Sequence, residues 1–357
     1  MAVRHTAATL RQSGGFDVDI FTPRSDFPEL RAHRVETAAA LRAHRAYRTA
    51  DLAIYHFGIF SPLFEEMAGN GGPRHRVVAF HNVTPSEFVA PAQRPIVERS
   101  LRQMAAARQV DRLWAESPTS VDALMVEGVS RQVIDMIPPA VDHPSTASLA
   151  DKPASPIRLL FVGRMVQAKG VLDLVEAVDL ARNRTRAQFQ LDIAGNQDFS
   201  DPSYAAEVKT AVVKRDLTTR VRLLGAVDDQ QLDALYRSAH LLLIPSYHEG
   251  FCRPVVEGLR AGCVPVGYAA FNLPHVAHGL GRMVPVGDRA ALAAALVELI
   301  DALAFSTVRG GVRVLPLDGA PLSPEDFDSA AQSYVREFSF ERVTASKLRS
   351  VQSVLAG

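Results

Sequence analysis

The sequence predicts an α/β protein built from two Rossmann-like, doubly wound domains facing each other across a cleft. Three observations carry that expectation. Short aliphatic runs alternate with longer helical patterns from about residue 16 onward; the alternation is interrupted once, by a stretch rich in proline and serine; and it then resumes for a similar length. The 357 residues suffice for about two domains of ~100–200 residues each.

Taken in order, the chain opens on the helix-like AVRHTAATLRQS. Strands are expected at Phe16–Phe21, Leu52–His56, Arg76–His81, Leu113–Ala115 and Val133–Ile137. A second series follows at Arg158–Val162, Phe189–Ala194, Val221–Leu224, Leu241–Ile244 and Val264–Gly267. Between them, Pro95–Arg108, Val171–Ala181, Ala205–Arg215 and Gln230–Ser238 place apolar residues three and four apart, as helices require. Strand and helix in strict alternation imply parallel sheets covered on both faces. The break at PPAVDHPSTASLADKPASP keeps no period and is expected to be a linker. This divides the chain into an N-terminal domain at 1–142, a linker at 143–156 and a C-terminal domain at 157–304. Residues 305–325 read as an irregular insertion. A helical tail over Ala331–Leu355, broken near Phe338–Phe340, is expected to cross back to the first domain.

Composition narrows the function. With 39 Lys+Arg against 39 Asp+Glu the chain has no net charge to draw it to nucleic acid. Two cysteines, Cys252 and Cys263, are too few to staple a fold of this size and lack zinc-type spacing, which suits a reducing, cytoplasmic compartment. No apolar run reaches the roughly 18 residues of a membrane span.

Chemistry concentrates in two stretches. In LLFVGRMVQAKG a strand ends at Gly163, Arg164 follows, and Lys169–Gly170 opens a helix. Glycine lets backbone approach an anion, a helix start adds donors, and two cations add charge, so this stretch fits a phosphate; the plain alternative is a solvated turn. It is neither a Walker loop nor a GxGxxG turn. In LIPSYHEGFCRPVVEGLRAGCVPVGY a strand leads to Glu249 and Gly250, and a helix then carries Glu257. Ionised carboxylates only accept hydrogen bonds and suit the hydroxyls of a sugar or ribose. The amides of Phe251 and Cys252 stand at the helix N-terminus, where an anion is favoured. The alternative is a helix cap at Glu249 and an exposed Glu257.

With GRMVQAKG, LDIAG, VRLLGAV and EGFCRPVVEG in order, the chain resembles the family-4 nucleotide-sugar glycosyltransferases of GT-B architecture. The resemblance runs through about residues 157–300 and more weakly through DLAIYHFGIFSPL and VVAFHNVTP. It implies retaining transfer from a nucleotide diphosphate sugar to a hydroxyl-bearing acceptor, with neither a metal nor another cofactor. Gly163, Arg164 and Lys169 would hold the diphosphate, Glu257 the ribose and Glu249 the sugar hydroxyls. Gly250 and the Phe251–Cys252 amides would meet the distal phosphate, with Gly195 and Leu224 beside the donor. The resemblance also implies an opening strand and glycine-rich loop, about 10–20 residues, ahead of AVRHTAATLRQS. Cys252, Arg253 and His275 stand where relatives often carry other residues.

The N-terminal half is expected to supply the acceptor side. His56 and His81 end parallel strands, with Asn82 next, and an imidazole there can bind a hydroxyl; a histidine at the His56 position is commonly tied to catalysis in the family. Arg31, Arg34, Arg42, Arg45 and Arg48 crowd one expected helix, which in relatives can meet a lipid phosphate or the inner membrane surface; a solvated face is the plainer account. Asp17–Asp19, in an expected strand, and Asp326–Asp328 look like metal-binding DxD pairs but are read as incidental. Two rival readings stand beside the transferase: a non-catalytic homologue serving as regulatory or scaffolding partner, and a GT-B epimerase or phosphorylase.

Overall fold

The computed structural model describes residues 2–357 except 14, 26, 70, 196–199, 306, 307, 310 and 311, and only the backbone at 308, 309, 312 and 313. The chain divides into two compact units, Met1–Ala140 with Phe340–Gly357, and Val141–Ser339. The N-terminal unit runs α1 (Ala2–Gln12), β1 (Phe21–Thr22), β2 (His33–Arg34), α2 (Ala38–Ala43), α3 (Arg45–Arg48), β3 (Leu52–Phe57), β4 (His75–Phe80), α4 (Arg94–Met104), β5 (Arg112–Ala115), α5 (Pro118–Val126) and β6 (Ile134–Met136). Strands β3, β4, β5 and β6 lie side by side in that order, all parallel.

The strand expected at Phe16–Phe21 is largely absent. Its residues do alternate between more and less buried, which is why they read as a strand, but only Phe21 and Thr22 enter a ladder, parallel to His33 and Arg34. This two-stranded pair stands apart from the four-stranded sheet. A cavity of about 1040 Å³ is lined by Leu10 of α1, by Ile20 and Phe21, and by β3 from Leu52 to His56. The basic stretch at 31–48 is likewise not one helix: it breaks into β2, α2 and α3. Arg42 is spent on structure, its Nε and Nη2 donating to the fully buried Glu66 at 3.1 and 2.6 Å. Asp17 lies outside any strand, and Asp19 meets the His33 ring at 2.7 Å.

The C-terminal unit runs β7 (Ile157–Val162), α6 (Val171–Arg182), β8 (Phe189–Ala194), α7 (Pro202–Lys214), β9 (Val221–Gly225), α8 (Asp229–Ser238), β10 (Leu241–Ile244), α9 (Arg253–Arg260), β11 (Val264–Tyr268), α10 (Leu273–Ala277), β12 (Arg282–Val284), α11 (Arg289–Phe305) and α12 (Pro324–Val335). Six of its strands form one parallel sheet in the order β9-β8-β7-β10-β11-β12, the doubly wound order that reverses between β7 and β10. Every residue of β10 and β11 is buried, as expected of central strands covered on both faces. Within this sheet β12 escaped sequence reading, because three residues at a sheet edge leave no pattern, and the insertion expected to be irregular holds a short antiparallel pair, Val308–Arg309 with Val312–Arg313.

The proline-rich stretch is docked rather than loose. Val141 and Leu149 join the C-terminal core, and the Asp328 carboxylate accepts from Ser148 Oγ and from the amides of Leu149 and Ala150 at 2.7, 2.8 and 3.1 Å. The segment expected as an insertion also contributes to this core through Leu315 and Leu317, with a bridge from Leu315 to Leu322. The last helix, α13 (Phe340–Ala356), belongs to the N-terminal unit. Val343, Val351 and Val354 bury against Leu10, Val77 and Trp114, while Trp114 Nε1 donates to Ser350 Oγ at 2.8 Å and Ser350 Oγ to Asp135 at 2.6 Å. Asp328→Ala would strand two backbone amides and cost the C-terminal unit about 1–3 kcal/mol, read as a lower urea midpoint. Asp326→Ala, which removes only an exposed acceptor for Ser323, should stay within about 0.5 kcal/mol; equal effects would refute the anchoring role of Asp328.

Candidate functional site

Ligands of a doubly wound sheet gather at the carboxyl ends of its strands where the order reverses. Here that point lies between β7 and β10, and both informative stretches leave the sheet there. Gly163 and Arg164 follow β7, and the turn Gln167–Lys169 leads to Gly170, in the left-handed region at φ 62°. A Cβ on Gly170 would lie 2.0 Å from the Pro245 carbonyl, so only glycine lets the two loops approach. Gly195, at the end of β8, meets the same limit against the Gly163 carbonyl at 2.0 Å. The Tyr247 amide then donates to the Ala168 carbonyl at 2.9 Å, closing one loop on the other.

That closure brings Lys169 and Glu249 together. Lys169 Nζ donates to Glu249 Oε1 at 2.5 Å, and Ser246 Oγ donates to the same oxygen at 2.9 Å. Both side chains are largely buried, the lysine 20% and the carboxylate 11% exposed, so the pair is weakly screened by water. Arg164 is exposed; its carbonyl accepts the Val166 amide at 3.1 Å, while its guanidinium has no hydrogen-bonded or ionic partner among the described residues. A phosphate arriving here meets one open guanidinium and one ammonium already aimed by a carboxylate. Asp173, in the first turn of α6, holds the loop from below. It accepts from Tyr247 Oη, from Tyr268 Oη at 2.9 Å and from Arg289 Nε at 3.0 Å.

Glycine 250 leads into Phe251 and Cys252, whose side chains are buried in the core, leaving only their backbone to a ligand. Cys252 precedes α9 in the left-handed region at φ 72°, no side chain caps the helix, and Pro254 brings no N–H. Burial raises the Cys252 thiol well above its ordinary range, which makes it inert. Asn272 Nδ2 donates to the Phe251 carbonyl at 3.0 Å and holds the loop in place. His248 is buried edge-on against Phe271, and that burial lowers it to about 4, so it stays neutral. Leu224 is half-buried at the end of β9, two strands from β7.

Glu257 lies apart from the Lys169–Glu249 pair in its bonding. Tyr236 Oη donates to Glu257 Oε2 at 2.8 Å, and Arg253 lies 3.6 Å from Oε1. Burial raises Glu257 above the ordinary carboxylate range, and the tyrosine and arginine partly offset this. Sequence reading placed Glu257 correctly on α9 but missed Tyr236, which comes from α8 and has no sequence signal linking it to this carboxylate.

In the N-terminal unit, His56 is the last residue but one of β3, and His81 and Glu116 directly follow the adjacent parallel strands β4 and β5. Neighbouring strands run about 4.8 Å apart, so three consecutive strand ends form a row. The His56 and His81 rings stack 5.1 Å apart at 13°, with His56 Nδ1 2.9 Å from His81 Nε2 and His81 Nδ1 2.6 Å from Glu116 Oε1. Asn82 turns the chain at φ 65°, its Oδ1 accepting the Val83 amide at 2.8 Å, a backbone role. Glu116 was not singled out from sequence; its signal is position, the residue after β5 as His81 is the residue after β4.

Tyr236→Phe would leave Glu257 buried without its donor, raising its pKa further. A carboxylic acid raised by folding binds its proton more tightly folded than unfolded, so stability is full at low pH and falls as pH rises above the ordinary carboxylate range. Melting curves from pH 4 to 8 should therefore show a variant deficit that grows with pH, reaching about 1–3 kcal/mol near neutrality. A deficit independent of pH would contradict this account of Glu257.

Comparison with known proteins bears on both units. Residues 156–302 match the family described as glycosyl transferases group 1. Mannosylfructose-phosphate synthase of Agrobacterium fabrum is 28% identical over 177 residues, covering 46% of this chain; the chain spans about two fifths (39%) of that relative's length. Among solved structures, sucrose-phosphate synthase of Thermosynechococcus elongatus superposes with a TM-score of 0.75 at 21% identity, over 99% of this chain and 93% of that one. The Anabaena HepE protein in complex with UDP-glucose superposes at 0.61 with 18% identity, over 78% of this chain and 72% of that one. Residues 156–302 thus match the glycosyl transferases group 1 family, and the chain has the GT-B fold, as family-4 glycosyltransferases do.

Proposed function

We propose that this protein transfers a sugar from a nucleotide diphosphate sugar to a hydroxyl-bearing acceptor, with retention at the anomeric carbon and without a metal ion. The observation that carries the reading is the Lys169–Glu249 pair at the reversal point of the C-terminal sheet, beside the open Arg164. The resemblance of the four motifs and the relatives' activities support transfer and retention, and the UDP-glucose bound by the HepE protein supports the donor class.

As the bond from the anomeric carbon to the diphosphate breaks, its electron pair leaves with the diphosphate and the sugar becomes oxocarbenium-like. Arg164, Lys169 and the backbone donors ahead of α9 bind that growing negative charge more tightly than the ground state, which lowers the barrier. A guanidinium, an ammonium and a helix N-terminus supply the charge that a divalent ion supplies elsewhere. Glu249 turns to sugar hydroxyls and Glu257 to the ribose. His56, His81 and Asn82 belong to the acceptor side. No described helix is long and apolar enough to cross a membrane.

A second reading, a homologue that binds nucleotide without turning it over, is favoured by one observation: residues 16–22 stand outside the four-stranded sheet of the acceptor-side unit. A thermal-shift panel of nucleoside diphosphates and their sugars, followed by turnover of the binders as labelled donors, separates the two. Ligand at a hundred times its Kd should stabilise by about 2.7 kcal/mol. Arg164→Met and Lys169→Met should each weaken diphosphate binding about 10- to 100-fold, the worth of one charge-assisted contact. Glu249→Ala should retain nucleoside diphosphate binding but lose transfer. Binding without turnover by the unaltered chain would establish the second reading, and no binding at all would defeat both.

A further inference from the structure

The row His56–His81–Glu116 has a direction. An ionised carboxylate can only accept, so Glu116 obliges His81 Nδ1 to carry a proton. In neutral His81, Nε2 is then a bare lone pair, and the 2.9 Å contact obliges His56 Nδ1 to donate to it. With Nδ1 committed, Nε2 is the nitrogen that His56 has left for a ligand, and it too is a bare acceptor. His56 is partly buried and lines the 1040 Å³ cavity of this unit.

We propose that Glu116 and His81 are positioning residues that hold His56 as a hydroxyl acceptor and carry away the proton it takes. This rests on the transferase reading and deepens its acceptor side. When the acceptor oxygen bonds to the anomeric carbon and the diphosphate leaves with its electron pair, the hydroxyl proton passes to His56 Nε2. His56 Nδ1 hands its own proton to His81 Nε2, so His56 ends neutral and the positive charge rests on His81, whose Nδ1–H already faces Glu116. Return of the proton by the same route, and its release to solvent, resets the row. The surroundings suit this division of labour. Burial, followed by the charges of His81 and Lys347, holds His56 well below the ordinary imidazole range, which opposes a lasting charge there. Glu116 Oε1 lies 2.6 Å from His81 Nδ1, the ring that receives the proton. Free imidazole has no such constraint, and nothing else on β3 or β4 would dictate which nitrogen of His56 is bare.

Nitrogen NMR on the full chain with labelled histidines tests the proposal without requiring turnover; His56→Gln and His81→Gln assign the signals. Both rings should show a protonated Nδ1 and an unprotonated Nε2 in the unaltered protein. Glu116→Leu, which removes the acceptor, should release His56 to a protonated Nε2. Finding His56 with Nε2 protonated at the outset, or unchanged in Glu116→Leu, overturns the proposal. In turnover, Glu116→Gln keeps shape and an acceptor but not the charge; kcat should fall about 100-fold with KM unchanged, and Glu116→Asp should restore part of it. A rise in KM with kcat intact would also overturn it. If no donor is turned over the transferase reading fails, while the NMR result still decides whether Glu116 sets the direction of the row.

Discussion

Two backbone approaches, each too close for a side chain, govern the C-terminal unit. The Gly170 Cα faces the Pro245 carbonyl, and the Gly195 Cα faces the Gly163 carbonyl, with room for a Cβ only at 2.0 Å. These approaches bring the loop after β7 onto the loop after β10 and the end of β8. Without them Lys169 and Glu249 would sit on separate strand ends, each facing water. With them the ammonium and carboxylate meet at 2.5 Å, largely out of solvent. The ammonium of this site is therefore preorganised by backbone packing. Preorganisation matters for catalysis because donors already in place need not reorganise when charge develops.

The N-terminal unit reaches a polar constellation by a related route. Parallel strands point all their carboxyl ends the same way, so residues at and just past the ends of neighbouring strands become neighbours in space. His56, His81 and Glu116 are 25 and 35 residues apart in sequence, yet they hydrogen-bond in a row. Both units thus turn the regularity of a parallel sheet into a local arrangement of charge. Elsewhere the same polar groups are spent on structure. Asp328 fastens the proline-rich stretch, Glu66 is satisfied by Arg42, and Asp19 by His33.

How far the sequence could be read depended on whether a signal was local. Strand β10 stands over the residues expected, Leu241–Ile244, because a continuous apolar run buried on both faces is visible without knowing its neighbours. Phe16–Phe21 misled because alternation reports one-sided burial, whereas a strand also needs a partner for its backbone. The same limit applied to side chains. Glycines, cations and acids at Gly163, Arg164, Lys169, Glu249 and Glu257 stood out within their own stretches. Tyr236 and Glu116 did not, since each acts on a residue from a different strand or helix.

By itself, the sequence determined the α/β class, the two-part organisation and the chemical character of the two loops, because these follow from periodicity and from residue types a few positions apart. Only the tertiary structure decided which strands adjoin, that Phe340–Gly357 completes the N-terminal unit, and which acid pairs with which base. Glu249 went to Lys169, Glu257 to Tyr236 and Arg253, and Glu116 to His81. Hydrogen bonds of 2.5–2.8 Å tolerate little displacement, and no pattern along a chain specifies distances of that size between residues tens of positions apart.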